Sequence, residues 1–234
     1  TGSLDRYDAD NGRIFFIDKV LQAPTNTVKE ILSQHSECST FYNLLLGNDA
    51  VFKYFEKDKE ISSIFSLNQT SESSGLGEVV SFFSNFRYTV FVPSNTAVAD
   101  AFRKDKNLHT WEEIADQDDM ATKRQWAIHL IRFLKYHFMD NSIYVGGASA
   151  NGTYETAARN NNNKFQTLKV NNDGGSLSIT DGHGNVAHVN KQNGLYNIQG
   201  RDFIVNSKDY RNAEQMISSS FSVIHLIDKA LLPE

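Results

Sequence analysis

One pattern is written twice in this chain, as Ile14-Phe15-Phe16-Ile17-Asp18-Lys19-Val20-Leu21 before Pro24 and as Ile224-His225-Leu226-Ile227-Asp228-Lys229-Ala230-Leu231 before Pro233. The copies lie 224 − 14 = 210 positions apart, about the length of one domain. That spacing predicts the tail of one module (residues 1–24) followed by the whole of the next (residues 25–234), as in a tandem array. Residues 13–21 are rich in Ile, Phe and Val and close at a proline, which predicts a buried strand. Left in water, such a strand exposes apolar surface and an unpaired edge, so it is expected to pair or pack against the domain.

Between the copies the patterning changes once. Thr27 and Glu30 have the spacing of a capping box, and so do Thr110 and Glu113; each predicts a helix start. Phe41, Leu44, Leu45, Ala50 and Phe52 predict two short helices interrupted near Gly47-Asn48. The Ser/Gly/Glu-rich stretch from Asn68 to Gly77 reads as an exposed loop within an insertion near 61–87. Tyr88-Thr89-Val90-Phe91-Val92 is a dense run of β-formers halted by Pro93, with Ser94 or Asn95 placed to cap a helix. From Ala127, residues Leu130, Ile131, Leu134 and Phe138 recur at helical spacing. Beyond Tyr144, Asn/Gly turn signals flank short β-rich segments such as Phe165–Val170 and Leu177–Thr180, which predicts antiparallel hairpins. A helical first half and a β-rich second half make the fold class α+β.

With 40% hydrophobic and 12% aromatic residues in 234, the chain can bury a core without crosslinks. The net charge of −5, with no block of basic residues, argues against nucleic acid as a partner. No apolar run approaches the roughly 20 residues that span a bilayer, so no membrane insertion by this segment is expected. A signal peptide or lipid anchor is expected to lie outside it. The single cysteine, Cys38, cannot form an intrachain disulfide or hold zinc by itself.

Four segments in order resemble the fasciclin domain family: the Ser39-Thr40-Phe41 helix start, the box Tyr88 to Val98, the segment Leu134-Lys135-Tyr136-His137-Phe138, and the closing box Val223 to Pro233. The first copy of the repeated pattern resembles the closing box of a preceding fasciclin unit. The resemblance implies a β-wedge or sandwich with short helices on one side. It also implies an extracellular or cell-surface adhesion module with no catalytic site and no cofactor. Its partners would be a protein or glycan of the cell surface or matrix and a neighbouring fasciclin domain in the same chain. The long 61–87 segment and the Asn-rich hairpins resemble bacterial envelope members of the Bacteroidetes type, whose stacked domains could instead serve as spacers of a lipoprotein or bind glycans.

Tyr136-His137 matches the Tyr-His pair that the family associates with adhesion, and the two are the interaction candidates. Their position at the end of an amphipathic helix favours a structural role, with both side chains buried. The family's Asp-Ile pair falls at Met216-Ile217, where the aspartate is absent. Asp18 and Asp228 recur at the same place in both copies, where a carboxylate at a strand end can cap amides or pair with a cation. His225 stands where the first copy has Phe15, so packing accounts for it. His183 and His188 flank a turn without a third ligand, and no metal site is expected. The acidic run Glu112 to Asp119 lacks a calcium loop. With no nucleophile elbow and no phosphate loop, no enzyme activity is expected.

Overall fold

The computed structural model describes residues 6–16, 24–66, 79–80, 82–83, 87–147, 150–205 and 216–234. Strands β1 (Arg6–Ala9) and β2 (Gly12–Phe15) form an antiparallel hairpin that is a two-stranded sheet of its own. The first copy of the pattern thus begins as a hairpin strand. At its described side chains this part is not the buried strand that composition predicts for 13–21, because Ile14 is 52% and Phe16 65% exposed. Asp18 and the rest of 17–23 lie outside the described residues.

Local chemistry sets the helices. At α1 (Val28–Ser33) the Glu30 amide donates to Thr27 Oγ1 at 3.2 Å and the Thr27 amide to Glu30 Oε2 at 2.8 Å, closing the capping box. α2 (Ser39–Leu46) ends at Gly47, whose φ of +81° is costly for a residue with a Cβ, and Asn48 then caps α3 (Asp49–Tyr54). The 61–87 segment contributes a short antiparallel pair, β3 (Phe65–Ser66) with β4 (Val79–Val80). β5 (Arg87–Pro93) leads through the Ser94 cap into α4 (Asn95–Lys104). Thr110 and Glu113 close the second box on α5 (Trp111–Asp116). α6 (Met120–Tyr136) begins two turns before the apolar stripe suggests, because Asp119 Oδ2 accepts from the Thr122 amide at 2.8 Å and starts it there.

The remaining strands are β6 (Phe138–Asp140), β7 (Gly152–Arg159), β8 (Phe165–Asn172), β9 (Leu177–Thr180), β10 (Val186–His188), β11 (Ile198–Val205) and β12 (Met216–Ile227). They join β5 in one eight-stranded sheet of order β10-β9-β8-β7-β6-β5-β12-β11, in which only β5 and β12 run parallel. The sheet curls on itself. Beyond β10, Val189 bridges to Ile227 at the end of β12, and the Asn190 amide donates to the Leu226 carbonyl at 2.8 Å. The chain is α+β, a curled sheet with several short helices.

Over residues 88–93 of β5 and 222–227 of β12 the pair is buried on both faces, as parallel pairs generally are. Val90, Val92, Ile224 and Leu226 enter a core beneath the helices with Phe41, Leu45, Trp111, Leu130 and Phe133. Phe91 and Ile227 face a second core inside the curl with Tyr136, Leu168, Val170 and Ile179. The closing copy of the repeated pattern therefore forms the wall between two cores.

Candidate functional site

The end of α6 is where the two cores meet. Tyr136 and His137 are both 0% exposed. The Tyr136 hydroxyl donates to the Thr167 carbonyl at 2.8 Å and accepts from the Gly182 amide at 2.9 Å. Burial raises its pKa above the ordinary tyrosine range. His137 is the C-cap of α6 and packs against Phe41 and Phe133, with ring centroids 5.0 and 4.8 Å away. Its Nδ1 faces the Phe133 carbonyl at 2.9 Å, and its Nε2 accepts from the Leu231 amide at 3.0 Å. A carbonyl only accepts and an amide only donates, so the proton sits on Nδ1 and the ring is neutral. Burial holds its pKa down to about 4.

His225 is the complementary case. It is 0% exposed, its Nε2 faces the Ile143 carbonyl at 2.8 Å and its Nδ1 accepts from the Asn197 amide at 3.2 Å. The same reasoning puts its proton on Nε2, and burial again lowers its pKa to about 4. Packing alone does not account for this histidine, since a phenyl ring could satisfy neither backbone group. With both nitrogens engaged, neither ring has a lone pair to offer a metal.

These contacts belong to a polar seam that fastens the end of the chain. Asp181 Oδ2 accepts from the Leu232 amide at 3.1 Å, while its Oδ1 accepts from the amides of His183 and Asn185. His183 Nε2 reaches the Pro233 carbonyl at 2.9 Å, and Gln166 Nε2 donates to the Glu234 carbonyl at 3.1 Å. Asp228 Oδ1 accepts from the His188 amide at 2.7 Å, and its own amide donates to the His188 carbonyl at 3.1 Å. Each residue grips backbone. Asp181 and Gln166 were not singled out from sequence, where Asp181-Gly182 carries only a turn signal.

No activated nucleophile emerges from this arrangement. Burial pushes the Cys38 thiol up to about 12, the direction opposite to a reactive thiolate. Among the described residues, no group of three His, Cys, Asp or Glu side chains is placed to hold a metal ion. Glu113 and Asp119 of the acidic run serve as helix caps.

A second feature lies on the helix side of the sheet. A groove of about 690 Å³ runs between α6 and the β7–β8 hairpin, with Phe82 and Phe83 along one wall and Ile128, Ile131 and Ala157 contributing apolar surface. Lys135 lines it with its ammonium 5.5 Å from the Phe82 ring centre. Burial, with the like charge of Arg159, pushes the Lys135 pKa down. The Arg159 guanidinium lies 4.0 Å from the centre of the Phe165 ring and donates to Asn163 Oδ1 at 3.0 Å.

A family model described as Fasciclin domain matches residues 62–233. No curated protein matches the chain. Among solved structures, a FAS1 domain pair from the insect cell adhesion molecule Fasciclin I is similar over 97% of this chain, at 16% sequence identity and a TM-score of 0.41. The chain spans 57% of that structure's length.

Proposed function

The chain belongs to the fasciclin domain family, and from that membership we propose that it is an extracellular or cell-envelope interaction module of the adhesion type. In this reading it comes from a tandem array in a bacterial surface protein of the Bacteroidetes type, performs no catalysis, and is anchored through a lipid or signal segment outside residues 1–234. The observation that carries the reading is the match over 62–233. Residues 24–61 join the matched region in one core through Val28, Ile31, Phe41 and Val51. Among the described residues, no helix is long and apolar enough to cross a membrane.

The Tyr-His pair is spent on the polar seam, so contact with a partner falls to other surfaces. The exposed side chains of Ile14 and Phe16 favour a neighbouring domain as one such partner, because apolar groups clustered on an exposed hairpin gain from being covered. Adhesion by one module should be weak, and that of the array stronger through effective concentration, by about 10²–10⁴-fold. The test compares this chain with a tandem protein on immobilised matrix proteins, alongside turnover of glycan and ester libraries. Equal adhesion by both forms, or measurable turnover, would overturn the reading.

A further inference from the structure

The groove between α6 and the β7–β8 hairpin has features that neither the seam nor the family match explains. Its walls bring the cations Lys59, Arg132, Lys135 and Arg159 together with the carboxylates Glu60, Asp140 and Glu155. Glu60 is taken by Arg124 at 2.8 Å, so among the described lining residues four cations face two carboxylates. Among the described residues Lys135 makes no ion pair or hydrogen bond; its neighbours are the Phe82 ring and the like charge of Arg159. A partly buried cation without a counter-charge is disfavoured, and an arriving anion relieves that cost.

The rest of the lining is aromatic and amide. Phe165 is 42% exposed with Arg159 held against its ring, and Phe82 and Phe83 lie in the same groove. Asn160, Asn161 and Asn163 form its rim. Asn160 Oδ1 accepts from the amides of Asn162 and Lys164 and Asn163 Oδ1 from Arg159, which leaves their NH₂ groups as donors to the oxygens of a ligand. Aromatic rings offer apolar area to a flat C–H face. The volume of about 690 Å³ lies in the range of small-molecule clefts, about 300–1,000 Å³.

We infer that this groove binds an acidic glycan, with the carboxylate of a uronate unit between Lys135 and Arg159, its ring against Phe165 and its hydroxyls on the asparagine rim. The assignment names a ligand class for the interaction module proposed above and rests on that reading. An acidic peptide is the competing occupant. It would use the cations, and its backbone N–H and C=O groups would pair with the rim amides, but it offers no flat C–H face to the Phe165 ring.

Titration calorimetry on this chain tests the assignment with three probes: a tetragalacturonate, its fully methyl-esterified form and a tetraglutamate. The tetragalacturonate should bind, and the ester and the peptide should each bind at least about tenfold more weakly, the loss expected for one charge-assisted contact. Lys135→Met should lower tetragalacturonate affinity by about tenfold while leaving the melting temperature unchanged or raised, because it removes an unpaired, desolvated charge and keeps the stem. Phe165→Ala should weaken the tetragalacturonate several-fold. No tetragalacturonate binding, equal binding of the ester or the peptide, or an unaffected Lys135→Met protein would each overturn the assignment. Adhesion of the tandem protein to matrix proteins, run on the same Lys135→Met variant, separates the two readings. Adhesion retained without glycan binding removes the groove assignment alone, and loss of adhesion by the unsubstituted tandem protein removes the module reading itself.

Discussion

The two copies of the repeated pattern meet different fates. In the closing copy Ile224 is 0% exposed, with β11 on one side of its strand and β5 on the other. In the opening copy the equivalent Ile14 is 52% exposed, in a ladder whose one partner is β1. The pattern specifies a β-former in both places. Burial depends on having strands at both edges and packed layers on both faces, which the second copy has and the first, among the described residues, lacks.

The largest effect that could break this contrast is a matched truncation. Ile224→Ala should destabilise the chain by about 2–5 kcal/mol, the cost of a cavity in a filled core, whereas Ile14→Ala should stay within about 0.5 kcal/mol. Urea unfolding of the two variants measures both. Equal losses would mean that the opening copy is docked as firmly as the closing one.

The next position sharpens the contrast through pH. His225 stands where the first copy has Phe15 and has a pKa lowered by burial to about 4, from an ordinary value of 6.5. The unfolded chain therefore binds the proton more readily. This contribution to stability is complete above about pH 6.5 and is lost as pH falls towards 4, on the order of 3 kcal/mol for this histidine. His225→Phe, which writes the first copy's residue into the second, strands the Ile143 carbonyl and the Asn197 amide and should cost about 1–3 kcal/mol at pH 7.5. Its deficit should shrink on acidification, leaving the similar slope due to His137. Unfolding midpoints of both proteins from pH 7.5 to 4.5 decide this, and parallel curves would rule out the neutral His225 described above.

Smaller effects probe what fastens the closing copy. Tyr136→Phe removes the hydroxyl that joins Thr167 to Gly182 and should lose about 1–3 kcal/mol with the helix intact by circular dichroism. If it were as stable as the parent, the hydroxyl would be free for a partner. Asp228→Asn keeps an oxygen for the His188 amide and should change stability by less than about 1 kcal/mol. A larger loss would show that its charge, and not only its acceptor, holds the curl shut.

Where one residue's chemistry answers to its sequence neighbours, the sequence is enough. The capping boxes at Thr27 and Thr110, the Gly47 break and the strand ended by Pro93 depend on contacts three or four residues apart, and they form where their spacing places them. The four ordered segments were enough to suggest the family. The start of α6 at Met120 was missed because an aspartate cap outweighs the weak apolar pattern of its first two turns. Other features required the fold. The opposite tautomers of His137 and His225, the grip of Asp181 on Leu232, and the meeting of Lys135 and Arg159 across a groove join residues 24 to 94 positions apart. No local pattern encodes such pairs, because hydrogen bonds and burial are set by which strands become neighbours. Only the curled sheet brings the end of the chain against the end of α6.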